Sequence, residues 1–395
     1  MTSDEQATLA VFYRDTLLND TLPFWFPRCV DEQHGGFFSF FDRDGSLIDT
    51  DKSVWAQGRM AWLLATLHAT VEPRPEWLAW ARHGIDFLRQ HCVDADGQLF
   101  FQVSREGHPL RKRRYAFSEA FMAIALAAYA RAAADEQAAA EARRAFASFR
   151  RLTSSPGLLP AKTDPSTRPS KSLGIPMITM GVAQTLRDAL GDTTELTALI
   201  DCCIDEICSD FVHPELECVL ETVAPDGSLL DHVDGRLLNP GHAIEAAWFM
   251  LKESQHRGGL PQLTALGTQI LDWMWARGWD REHGGLLSFV DVRSLPVQEY
   301  WHDMKFWWPH NEAIIATLLA WKLTGDPRYA RMHREVHSWA HDHFADPDHG
   351  EWFGYLHRDG SLASRLKGGL WKSAFHLPRM QLVCWKLLEG RLVAG

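Results

Sequence analysis

The chain has 395 residues, 46% of them hydrophobic and 23% charged, with a net charge of −11. Such a chain can bury a sizeable core, which excludes intrinsic disorder. Its negative balance excludes a general nucleic-acid binder, since phosphate backbones require clustered Lys and Arg, and the one basic run, Arg111 to Arg114, is short enough to read as a solvated loop.

In chain order, Asp4 to Asn19 reads as an amphipathic helix. EQHGGFFSFFDRDGSL (Glu32 to Leu47) then sets His-Gly-Gly before alternating apolar residues and an Asp-Gly turn, which is a β-hairpin signal. WAQGRMAWLLATLH, from about Gln57, is nearly apolar all round and reads as a buried helix. An amphipathic helix over Trp77 to His91 and a weaker hairpin over Asp94 to Leu110 follow. The next buried helix begins near Phe117, and Glu136 to Thr153 is amphipathic. A Pro- and Ser-rich loop, Ser154 to Lys171, leads to a buried helix from Ile175 and an amphipathic one over Thr193 to Asp210. A hairpin signal spans Glu215 to Leu230, and a buried helix starts near Gly241. Leu260 to Gly278 is amphipathic, Arg281 to Leu295 is a hairpin, and the buried helix after it begins near His310. Tyr329 to Phe344, the hairpin Asp348 to Leu362 and a last buried helix near Ala374 complete the series.

Six buried helices alternate with six amphipathic ones, and hairpins sit in the connections. This pattern predicts an all-α fold, an (α/α)6 barrel of six helical hairpins, as one catalytic domain over residues 1–395. A parallel α/β fold is disfavoured, because the strand signals do not alternate with helices as crossovers. An open solenoid is the alternative, but it would expose a large apolar patch. If the inner helices run the same way, their first turns meet at one end of a funnel. That brings together Arg59, Ser118, Glu119, Met177, Ile178, His242, Glu245, His310, Glu312 and His376.

His242 and Glu245 are three apart and share a helix face, where a carboxylate can orient an imidazole. Arg59 is a charge within an apolar helix. It needs a ligand oxygen or a carboxylate such as Glu245 or Glu312. Seventeen tryptophans offer flat platforms of the kind sugars stack on. No GxGxxG, GxxxxGK[ST] or Gly-x-Ser-x-Gly motif occurs, and His341, His343 and His349 have no second cluster to complete a metal site, so no metal is expected. Seven cysteines without a Cys-x-x-Cys pair fit a reducing compartment. MTSDEQATLA lacks a secretory signal, and the longest apolar run, Ala120 to Ala130, is too short to span a bilayer. The expected setting is cytoplasmic, with no membrane partner.

KSVWAQGRMAW, NPGHAIEAAW, DMKFWWPHNEA and KGGLWKSAFHLPR, in this order and spacing, resemble the N-acylglucosamine 2-epimerase family over essentially the whole chain. The resemblance implies an (α/α)6 barrel and a sugar 2-epimerase. Its essential arginine falls on Arg59, its two catalytic histidines on His242 and His376, and its glutamates on Glu245 and Glu312. The third inner helix reads GIPMITMG, with no histidine, where the isomerase and cellobiose branches carry one; this resembles the N-acylglucosamine branch. The implied chemistry inverts C2 of a reducing sugar through an enediolate, with His242 and His376 as the two bases and Arg59 on the O1 oxyanion. Glu245 would orient His242, and Glu312 or His310 would assist ring opening. Trp307, Trp308, Trp371 and Trp55 would line the sugar site with Glu119. No cofactor is required; an ATP effector at the Ser154 to Lys171 loop and a homodimer are family features that carry over as expectations. Aldose–ketose isomerisation, cellobiose-type epimerisation, glycoside hydrolysis and a non-catalytic interaction role remain alternatives.

Overall fold

A computed structural model of the protein describes residues 1–112, 116–155, 157–160, 163–191 and 194–391. Arg113 and Arg114 of the basic run, Pro156, Ala161 and Lys162 of the Pro- and Ser-rich loop, and Thr193 at the expected start of an outer helix lie outside the described residues.

Among the described residues, long helices form two concentric rings. The inner ring holds α2 (Val54–Thr70), α4 (Phe117–Ala133), α6 (Gly174–Leu190), α8 (Pro240–His256), α10 (Trp307–Thr324) and α12 (His376–Leu388). The outer ring holds α1 (Ser3–Thr16), α3 (Pro75–His91), α5 (Glu136–Ser154), α7 (Thr194–Glu206), α9 (Pro261–Gly278) and α11 (Pro327–Phe344). Each inner helix packs on the outer helix that follows it, and α12 packs on α1 from the chain start. Successive inner helices also touch, and the ring closes where Phe375, the cap residue before α12, meets Trp62 of α2 at 5.3 Å. The ring is therefore closed, as an (α/α)6 barrel, and the open solenoid is excluded.

The inner helices are buried nearly all round; α4 hides Ala120, Phe121, Ala123, Ile124 and the next six residues. The outer ones bury a stripe, such as Ala138, Ala142, Phe146, Phe149 and Leu152 on α5. Gly58 lets α2 lie against α4, since a Cβ there would meet the Phe121 carbonyl group at 2.7 Å. Proline opens α3, α9 and α11 at the first turn, where a missing N–H costs nothing.

At the end where the inner helices begin, short antiparallel ladders lock neighbouring units. The strand leading into an inner helix pairs with the next hairpin: Lys52–Ser53 with Gln102–Val103, Lys171–Ser172 with Thr222–Val223, Leu237–Leu238 with Val290–Asp291, and Lys305–Phe306 with Tyr355–Leu356. A buried ion pair repeats beneath three hairpins, with Lys52–Asp31 at 2.9 Å, Lys305–Asp280 at 2.9 Å and Lys367–Asp346 at 3.0 Å. Arg105, Arg358 and Arg43 cap the same aspartates. Burial alone would raise the Asp31 and Asp280 carboxyls, but the Arg and Lys donors outweigh it and hold them well below the usual range.

Candidate active site

Two imidazoles stand near one indole at the N-terminal end of the inner ring. The Trp308 ring centroid lies 5.1 Å from that of His242 and 6.0 Å from that of His376. Trp307 stands edge-on to His376 at 6.0 Å. His242 is placed by its helix cap: Asn239 Oδ1 accepts the His242 backbone N–H at 3.1 Å, and Pro240 fixes the first turn. Gly241 is required beside it, because a Cβ there would meet Trp308 Cη2 at 2.5 Å.

Each imidazole has a carboxylate on Nδ1. His376 Nδ1–H donates to Glu312 Oε1 at 2.8 Å, and His242 Nδ1–H donates to Glu221, both of whose oxygens lie at 3.1 Å. A carboxylate on Nδ1 fixes the tautomer and leaves the lone pair on Nε2. Glu312 is fully buried and accepts two further bonds, from Trp248 Nε1 at 2.7 Å and Arg379 Nη2 at 2.6 Å. Arg379 also donates to Glu245 Oε1 at 2.9 Å. Burial, then the Arg379 and Arg59 charges, hold the His376 imidazolium well below its usual range, so the ring is a neutral base at working pH.

Arg59 projects from α2 into an aromatic box. Its guanidinium lies 4.1 Å from the Phe121 centroid, 4.8 Å from Phe375 and 5.5 Å from Trp55, and its nearest hydrogen-bond acceptor is the Trp371 carbonyl at 3.5 Å. Among the described residues it forms no ion pair. The guanidinium is held beside His376 without a bound carboxylate, which suits an oxygen that gains charge during a reaction. Trp371 is 36% exposed and meets Trp55 edge-on at 5.6 Å.

Three expectations need correction. Glu245 does not orient His242: it is bound to Arg379, and Glu221 from the preceding hairpin takes that place. His310 is fully buried and faces a hairpin, with Nε2 accepting the Leu286 N–H at 2.9 Å and Nδ1–H donating to the Phe306 carbonyl at 2.6 Å. It stacks on Trp339, and burial pushes it down to about 3, so neither nitrogen serves a sugar. Glu119 is likewise fully buried and accepts the Leu99 N–H at 2.8 Å. Gln57 does the same for the Phe37 N–H at 2.7 Å, so this helix register pins hairpins. Sequence reasoning also missed Glu221, Trp248 and Arg379. Arg379 follows His376 by three residues and was readable as a same-face pair; Glu221 reaches His242 only through the tertiary fold.

The donor atoms of Glu245, Glu312 and His376 lie within 4.8 Å of one another, as a cation site would need. The cation at this place is the Arg379 guanidinium, bound by Glu245 and Glu312. The shared guanidinium disfavours glycoside hydrolysis, in which one of the two carboxyls must be free to give a proton, since Arg379 is bonded to both Glu245 and Glu312.

The family model described as N-acylglucosamine 2-epimerase matches residues 36–377. N-acylglucosamine 2-epimerase from Bos taurus is 36% identical, over 98% of this chain and 94% of its own length. The Homo sapiens protein of the same name is 34% identical, over 95% and 89%. In structure, the cellobiose 2-epimerase of Spirochaeta thermophila superposes with a TM-score of 0.84 at 23% identity, covering 98% of each chain, and a D-mannose isomerase with 0.82 at 20% identity, covering 95% and 98%. The structures share the barrel, and the sequence match over most of the length decides the rest: the chain belongs to the N-acylglucosamine 2-epimerase family.

Proposed function

We propose that the protein inverts C2 of a reducing N-acyl amino sugar, interconverting N-acetylglucosamine and N-acetylmannosamine. The observation that carries the reading is the pair of imidazoles gathered near one indole, each with a carboxylate on Nδ1, beside a guanidinium without a bound carboxylate. The C2 proton is acidic only when C1 is an open-chain aldehyde, so the ring opens first. Nε2 of one histidine takes the C2 proton, the C1–C2 double bond forms, and the electron pair moves onto O1 beside Arg59. The other histidine, as imidazolium, returns a proton to C2 from the opposite face. A base and an acid near neutral pH suit both steps, which histidine supplies. Glu312 orients His376, and Trp307, Trp308 and Trp371 offer the aromatic walls of the sugar site.

Support for the N-acyl substrate comes from the names of the relatives at 33–36% identity, matched over 89–94% of their length. The cellobiose 2-epimerases match at 22–24%. A cytoplasmic homodimer that needs no redox cofactor goes with the reading. The experiment is proton NMR of the purified protein in heavy water with N-acetylglucosamine, N-acetylmannosamine, mannose, glucose and cellobiose. The reading expects C2 exchange and epimer formation with the N-acetyl sugars. Ketose formation from mannose, with the N-acetyl sugars untouched, would replace it by isomerisation.

A further inference from the structure

Five hairpins of the barrel share one register. The backbone N–H groups of Phe38, Phe100, Leu220, Leu287 and Phe353 each donate to a carbonyl near the preceding helix end, those of Cys29, Cys92, Phe211, Gly278 and Phe344. The residue after the donor is Ser39, Phe101, Glu221, Ser288 or Gly354. At three of these positions its carbonyl accepts the N–H of a residue at the start of an inner helix: Val54 from Phe101 at 3.1 Å, Leu173 from Glu221 at 3.0 Å, and Trp307 from Gly354 at 3.1 Å. The register therefore delivers a side chain to the funnel end where the histidines sit. Of the five residues, Glu221 alone is ionisable. A buried-side position that is Ser, Phe or Gly elsewhere in the repeat has no packing need for a carboxylate.

The two histidines also sit in different charge settings. Around His376 stand two guanidinium groups, Arg59 and Arg379, and two carboxylates, Glu245 and Glu312, with Arg379 bonded to both acids. Those charges cancel, and burial then favours the neutral ring. His242 faces Glu221 from the hairpin, Glu245 from its own helix turned toward Arg379, Trp308 from α10 and His376 from α12. Its side chain is 33% exposed, so a charged ring there keeps water contact.

We propose that Glu221 is the positioning residue of His242, holding Nδ1–H so that Nε2 faces the sugar and making the imidazolium its resting form while His376 rests neutral. The inference rests on the two-imidazole reading above. It makes the pair unequal: in the resting site His376 is the base and His242 the acid. Activity needs one proton on the pair. The alkaline limb of a pH profile then reports loss of the His242 proton, and the acid limb reports protonation of His376.

The test is kcat/KM against pH for the wild type, Glu221→Gln, Glu221→Asp and Glu312→Gln, with N-acetylmannosamine as substrate. Glu221→Gln is expected to move the alkaline limb down by about one pH unit and leave the acid limb in place, at a loss of about tenfold near pH 8. Glu221→Asp restores part of that shift, and Glu312→Gln moves the acid limb instead. A Glu221→Gln profile that is merely scaled, or displaced on its acid side, overturns the proposal. Should that variant fail to fold, nitrogen-15 NMR of the wild-type histidine rings decides: the proposal expects both His242 nitrogens protonated at pH 7 and only Nδ1 of His376. The reverse pattern, or two neutral rings, overturns it. Failure of the underlying reading looks different, since His242→Asn and His376→Asn would then keep full epimerisation whatever Glu221→Gln does.

Discussion

Replacing Glu312 by Gln changes one oxygen to an amide nitrogen in a fully buried site. Oε1 receives Arg379 at 2.6 Å and His376 Nδ1–H at 2.8 Å, and Oε2 receives Trp248 at 2.7 Å. An amide has one oxygen, so its NH2 must face either two donors or one. Hydrogen bonds to a charged group contribute ~1.5–3 kcal/mol each, and the variant weakens all three while leaving the His376 tautomer unheld. Taking the loss in the transition state as ~3–4 kcal/mol, at ~1.36 kcal/mol per factor of ten, kcat should fall by two to three orders of magnitude. KM should change little, because Glu312 acts through His376 and does not touch the sugar. The assay is C2 proton exchange followed by NMR in heavy water, with thermal melting and circular dichroism as controls on the fold. A folded variant within tenfold of the wild-type kcat would refute the orienting role.

Gly241→Ala places a methyl against the Trp308 ring, where the Cη2 contact would be 2.5 Å. Because that indole packs near both imidazoles, kcat/KM should drop about 10–100-fold with an intact fold, on the rule that misplacement by about 1 Å costs this order; steady-state kinetics checks it. Asp280→Ala strands the buried Lys305 and should destabilise the barrel by ~3–5 kcal/mol, read from denaturant midpoints. Asp31→Ala should behave alike at the repeated position. Acid stability tests the buried histidines. Burial pushes His310 to about 3 and His333 to about 4, below the unfolded value, so the unfolded chain binds more protons as pH falls. Stability from these two groups is intact above about pH 6.5 and lost toward pH 4, each contributing a slope of up to ~1.4 kcal/mol per pH unit; urea melts at stepped pH measure it.

The barrel was legible because its inner helices have no polar face. Phe117, Gly174 and Pro240 begin their helices within a residue of the position the apolar pattern marks. The starts near Gln57 and His310 were placed one turn late. Their true first turns, Val54 and Trp307, are set by hydrogen bonds to Phe101 and Gly354 on other units, which no local pattern carries. The meeting of His242, His376, Arg59 and Glu312 followed from the repeat, since equal helix direction collects equal positions. Partner choice did not. Glu245 shares a helix face with His242, yet a guanidinium two helical units further along the chain takes it, and Glu221 arrives from a hairpin. His310 and Glu119 stood at the right turn of their helices but on the face that pins a hairpin. Helical spacing alone does not tell the funnel side from the hairpin side.

The most direct measurement of the central claim is C2 hydrogen exchange in heavy water by His242→Asn and His376→Asn, each offered N-acetylglucosamine and N-acetylmannosamine separately. With imidazoles on opposite sides of C2, both variants lose epimerisation, but each still exchanges the proton of one epimer, and the favoured epimer differs between them. Equal loss of exchange from both sugars in both variants, or preference for the same epimer in both, would contradict the account.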